Sequence, residues 1–167
     1  MATHNTFPDD QLFRTKPEQY SDAYIEHLLE QYKLYVQSHE KISERREGSN
    51  KFFLALNSAV VAAIAFLWET TVSNDFLVFC ISLAAVAICV FWYRSIRSYD
   101  NLNTGKFKVI HAIEKRLPLA LYETEWRVLG EGKDPDLYKP ISHLERSIPV
   151  AFGCLYILIA VVRISGG

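Results

Sequence analysis

Two windows of this chain, Phe52 to Trp68 and Phe76 to Tyr93, run for 17 and 18 residues without a single Asp, Glu, Lys or Arg. An α-helix rises about 1.5 Å per residue, so each window spans most of a hydrocarbon core roughly 30 Å thick. Backbone polar groups in lipid must be satisfied within the segment, which dictates helix, and neither window contains Gly or Pro to interrupt it. Composition alone hides this: 167 residues with net charge -1 and a mean hydropathy of +0.03 would suit an ordinary soluble domain. The windows are joined by the short polar loop Glu69 to Asp75, so the two helices form an antiparallel hairpin. Trp68 closes the first window and Phe91, Trp92 and Tyr93 close the second, the residue types of an interfacial aromatic belt.

Basic residues set the expected orientation. Lys33, Lys41, Arg45, Arg46 and Lys51 precede the first helix, and Arg94, Arg97, Lys106, Lys108, Lys115 and Arg116 follow the second, while the loop between has none. The positive-inside bias places both flanks in the cytoplasm. A third apolar stretch, Ile148 to Ile164, is weaker, because its clean apolar part, Val150 to Val162, is short and contains Gly153. Pro149 suits a first helical turn, and Arg146 and Arg163 can anchor the two ends. A full third span is expected. Residues 1 to 50 are polar and contain no apolar core of a secretory leader.

The expected layout is therefore an all-α membrane protein: a transmembrane helical hairpin, a third transmembrane helix and amphipathic cytoplasmic helices, in a homo-oligomer. Residues 1–16 read as a disordered or loosely ordered N-terminus, 17–50 as a cytoplasmic amphipathic helix, 51–69 as the first span and 70–75 as an extracytoplasmic turn. The second span is 76–93, a cytoplasmic helical insertion occupies 94–147, and the third span is 148–164. In the arm, Tyr20, Tyr24, Leu28, Tyr32, Tyr35, His39 and Ile42 recur at helical steps, with acidic and polar residues opposite. Tyr24, Leu28, Tyr32 and Tyr35 read as a packing face for a neighbouring helix or subunit in preference to an aromatic ligand platform. In the insertion, Asn101 to Gly105 reads as a turn or helix start. Phe107, Ile110, Ile113 and Leu117 mark a helix stopped by Pro118, a shorter helix passes through Leu121, Glu125 and Leu129, and Gly130 to Pro140 is a loop.

Chemistry is sparse. There is no Gly-rich phosphate loop, no G-x-S-x-G, no H-E-x-x-H and no paired cysteine motif. Cys80, Cys89 and Cys154 fall inside the spans and read as small apolar residues. His27 with Glu30 and His111 with Glu114 have an i, i+3 spacing that places both side chains on one helix face, but such pairs arise readily in Glu-rich helices and read as solvated or interfacial. No catalytic residue, metal site or cofactor is expected, and the near balance of charge gives no field for nucleic acid.

In the interior of the spans no Asp, Glu, Lys, Arg or His appears, which argues against a proton relay or ion-coupled pump. Asn57 is the strongly polar group there, with Ser58 beside it, and Ala55, Ala59 and Ala63 form a small-xxx-small series. These five residues read as an oligomer contact, or alternatively as the lining of a narrow pore. Arg45, Arg46, Lys51, Arg94 and Arg97 read as contacts to lipid headgroups.

The stretch Tyr32 to Leu56, YKLYVQSHEKISERREGSNKFFLAL, together with the hairpin, Trp92-Tyr93-Arg94, Tyr122 to Trp126 and the apolar tail starting at Pro149, resembles the RipA family of small octameric bacterial inner-membrane proteins. The resemblance implies a bacterial inner membrane, a homo-octamer and a large cytoplasmic portion, and it carries over no catalytic residue. The layout is also similar to the two-transmembrane SLATT effectors of bacterial conflict systems, although the third apolar stretch departs from that plan. Two functions are accordingly open: a non-catalytic oligomeric scaffold or sensor with a cytoplasmic protein partner, or a pore-forming or membrane-perturbing effector.

Overall fold

The computed structural model describes residues 9–69, 75–134, 136–138 and 141–165, and among them the chain forms helices and turns with no strand. A short helix α1 (Asp9–Leu12) precedes two long ones, α2 (Tyr24–Glu69) and α3 (Asp75–Glu114), followed by α4 (Leu121–Val128) and α5 (Ile141–Ser165). Single 3₁₀ turns occupy Pro17–Gln19 and Gly130–Gly132.

Both long helices continue where the sequence suggested a break. Neither contains proline, and a lone glycine costs a helix only about 1 kcal/mol. Gly48 and Gly105 are such positions, each with open space where a side chain would go. Asn101 to Gly105 is thus helix interior, where a turn or helix start was expected. The end of α3 follows from Pro118: the last N–H groups tighten to three-residue bonds, Arg116 to the Ile113 carbonyl at 2.9 Å and Leu117 to that of Glu114 at 3.0 Å.

The chain divides into two compact units. The apolar unit comprises Ser43–Asn101 and Lys139–Gly167 and holds the three candidate spans. Its core runs from Ile64, Val78, Ala85, Cys89 and Tyr156 to a second cluster of Phe53, Trp92 and Ile96. Only 17%, 28% and 11% of the most apolar windows of α2, α3 and α5 are buried. Three helices with that much outward apolar surface need a non-aqueous surrounding, and the chain is an all-α membrane protein.

Polar contacts mark the two ends of this bundle. At one end Arg163, near the close of α5, donates to Asp75 at 2.7 Å and stacks on Trp68 at 3.9 Å. At the other, Arg46 pairs with Glu145 at 3.6 Å and Arg146 with Asp100. Helix α5 therefore runs parallel to α2 and antiparallel to α3, with its last turn beside the hairpin end. Pro149 does not begin α5. It lies buried eight residues beyond the start, because Ile141 to Ile148 contains no breaker and its Glu145 and Arg146 are held by ion pairs. The aromatic belt is also only partly outward: Phe91 is exposed, whereas Trp92 is fully buried, stacked on Phe53 at 5.7 Å and donating from Nε1 to Asn50 at 2.9 Å.

The polar unit comprises Met1–Ile42 and Leu102–Tyr138. It contains the first turns of α2, the last turns of α3, and α4. Gly130 and Gly132 both adopt φ near +69°, the left-handed region that glycine enters at little cost, and let the chain double back so that Trp126 meets Tyr138 edge-on. The turn expected at 70–75 and the N-terminal residues 1–8 lie outside the described residues, apart from Asp75, which opens α3.

Candidate functional site

The centre of the polar unit is a carboxylate. Glu114 closes α3, is 1% exposed, and lies on the same face as Ile110 and Leu117, where helical periodicity places core residues. A buried carboxylate requires hydrogen-bond donors, and three converge on it. Tyr32 on α2 donates its hydroxyl to Oε1 at 2.9 Å, and the backbone N–H groups of Tyr122 and Glu123 donate to Oε1 and Oε2 at 2.9 and 3.0 Å. Those two amides are the unsatisfied donors of the first turn of α4, whose N-cap is Ala120, a residue with no side chain to receive them. Glu114 thus caps a helix from a different element, and one side chain ties α2, α3 and α4 together.

The surroundings reinforce the junction. His39 contacts Asn103 at 2.6 Å, and its ring meets Phe107 edge-on at 4.8 Å and Tyr122 at 6.5 Å. Tyr24 accepts from Arg116, and Lys106 lies over the Tyr35 ring at 4.4 Å while donating to Ser38. Burial pushes the Tyr32 hydroxyl well above its ordinary range, and the bond to Glu114 and its negative charge push it further. Tyr122 is raised by burial and then by the charges of Glu40, Glu125 and Glu114. Tyr35 is raised by burial. The Tyr32 hydroxyl therefore stays a neutral donor to Glu114.

In the apolar unit the polar focus is Asn57, 1% exposed. Its Nδ2 donates to the Phe53 carbonyl at 2.8 Å, its Oδ1 accepts from Cys89 Sγ at 3.3 Å, and its own carbonyl accepts from the Tyr156 hydroxyl at 3.0 Å. One residue from each of the three spans therefore meets at this point.

Of the residues singled out in the first span, the fold separates Asn57 from the rest: Ala55, Ser58, Ala59 and Ala63 are exposed on other sides of α2. Tyr24, Leu28, Tyr32 and Tyr35 are half-buried; Tyr32 and Tyr35 meet the α3 side chains Glu114 and Lys106, and Tyr24 meets Arg116 just beyond α3. Among the basic residues, Arg46 engages Glu145, Lys51 engages Glu47 at 2.6 Å, and Arg45, Arg94 and Arg97 are exposed. Among the described residues no group of three His, Cys, Asp or Glu side chains is placed to hold a metal ion, and no disulfide is present.

A family of octameric membrane proteins, 8xMP, matches residues 29–165. The chain belongs to this octameric membrane protein family. The match takes in the apolar parts of the three long helices, the Asn57 meeting point, and Glu114 with its three donors, so both polar foci lie in the part of the chain shared with 8xMP. No curated protein and no solved structure matches the chain. Within this 8xMP chain, Glu114, which the sequence offers with His111 as a solvated or interfacial pair, is buried at an interface between helices. The available signal was its place on the apolar face between Ile110 and Leu117.

Proposed function

We propose that this protein is a homo-octameric scaffold or sensor of the bacterial inner membrane, without catalytic activity, whose N-terminal arm and 94–147 segment lie in the cytoplasm. The observation that carries the reading is membership in a family of octameric membrane proteins by a chain with three apolar helices. The distribution of basic residues supports the orientation, and the likeness to RipA belongs to the same reading. Lipid headgroups are the partners of Arg45, Arg94 and Arg97, and the polar unit takes a cytoplasmic protein partner. Asn57 favours the scaffold over a pore, since its amide is engaged by Phe53 and Cys89 of its own chain.

Native mass measurement in lipid nanodiscs should return eight copies, and reconstituted bilayers should stay silent. A conductance present in the wild type and lost on Asn57→Leu, with the octamer intact, establishes the effector reading instead.

A further inference from the structure

Within the apolar unit, α2 and α5 leave a groove of about 380 Å³ between them, lined by Val61, Ile64, Ala65 and Trp68 on one side and Leu155 and Ile159 on the other. These positions recur at helical steps, so the groove follows both helices for about two turns, or roughly 10 Å. One end of it is charged. Trp68, the last lining residue of α2, carries the Arg163 guanidinium over its ring at 3.9 Å, and Ile159 lies one helical turn before Arg163. Arg163 donates from Nη1 to Asp75 at 2.7 Å, but its Nε and Nη2 are buried and have no hydrogen-bond partner among the described residues. A buried charged donor left without an acceptor is costly. Nε and Nη2 lie along one edge of the planar guanidinium, whose parallel N–H groups match two oxygens of a phosphate or carboxylate. Beside it the Asp75 carboxylate is half exposed. The groove therefore ends in two fixed opposite charges, with an anion-binding edge unused.

We propose that this groove is a phospholipid site: an acyl chain lies between α2 and α5, the headgroup phosphate takes the Nε and Nη2 edge of Arg163, and a headgroup ammonium faces Asp75. The ligand class is thus a zwitterionic phospholipid with an amine headgroup. An apolar helix of a second copy would fill the groove without supplying the anion that Arg163 lacks. Inorganic phosphate would supply the anion without filling the groove. Since an acyl chain gains little by leaving other lipid, the groove contributes fit, and the charged contacts contribute preference. The site lies within one protomer and stands whatever the copy number.

The test is native mass measurement of the full-length protein, stripped of lipid in detergent and titrated with phosphatidylethanolamine, phosphatidylglycerol or inorganic phosphate. Wild type should retain one phosphatidylethanolamine per subunit, and should hold phosphatidylglycerol, which has no ammonium for Asp75, several-fold more weakly. Arg163→Gln should weaken phosphatidylethanolamine binding about ten-fold, the loss expected for charge-assisted hydrogen bonds. Ala65→Phe fills the groove and leaves both charges in place; Ala65 is exposed, so helix content by circular dichroism should match wild type while lipid retention falls several-fold. Asp75→Asn should hold the two lipids equally. Equal retention by wild type, Arg163→Gln and Ala65→Phe overturns the site and leaves ordinary boundary lipid. Loss in Arg163→Gln with none in Ala65→Phe overturns the groove as the acyl-chain site. Displacement of the lipid by inorganic phosphate overturns it in favour of a free-anion site. A wild type that retains no lipid, with a copy number that falls in Ala65→Phe, overturns it in favour of a second copy in the groove. No preference between the two lipids in wild type overturns the role of Asp75.

Discussion

At the scale of single residues, Glu114 and Trp92 do the most specific work. Glu114→Ala leaves the Tyr32 hydroxyl and two amides of α4 without their acceptor, at an expected cost of about 2–4 kcal/mol. Thermal melting in detergent should show that loss, and Glu114→Gln, which keeps an acceptor oxygen, should show less of it. Tyr32 adds a pH dependence. Its hydroxyl is raised in the folded state, so the folded form holds this proton more tightly than the unfolded chain, whose tyrosine titrates near 10.0. The associated stability is complete below pH 10 and is lost as pH rises toward the folded value. Melting midpoints should fall on going from pH 9 to pH 11, and Tyr32→Phe should make that slope shallower. An unchanged slope in the variant counts against the Tyr32 to Glu114 bond. In the apolar unit Trp92→Ala removes a fully buried indole and frees Asn50, and should destabilise by about 3–5 kcal/mol.

Elements differ in what their glycines do. Gly48 and Gly105 lie inside helices with open space around them, and replacing either with alanine should raise stability by about 0.5–1 kcal/mol. Gly132 is the reverse case: at φ +69° a side chain is strained, and a Cβ would stand 3.1 Å from the Trp126 ring. Gly132→Ala should therefore lower the melting midpoint while Gly48→Ala raises it, a pair of opposite signs measurable in one calorimetric series. Equal effects would show that the Gly130–Gly132 turn is not held as described. Helix α5 adds a point about proline. Pro149 lacks the N–H that would bond the Glu145 carbonyl, and the helix nevertheless passes through it, because ion pairs from Glu145 and Arg146 secure the preceding turn.

For the whole molecule, α5 runs parallel to α2 within the apolar unit, and under the proposed orientation a tag after α5 stands on the opposite side of the membrane from the N-terminal arm. Protease added to intact spheroplasts should remove a C-terminal tag and spare an N-terminal one; protection of both would remove α5 from the set of spans. The spans were legible in the sequence because membrane insertion acts on runs of residues, and a run of 17 uncharged residues is visible without knowing its neighbours. The helical periodicity of the arm was legible for the same local reason. The partners of each face were not. Tyr32 and Glu114 are 82 positions apart, and Asn57 and Tyr156 are 99 apart, distances over which periodicity carries no information. Local patterning accordingly determined that this chain is helical and apolar in three stretches. Only tertiary packing decided that Asn57 and Trp92 turn inward while the alanines face out, and that a glutamate on an apolar face caps a helix in place of Ala120. Burial of a polar group depends on which donors arrive in space, and that is settled when the helices meet.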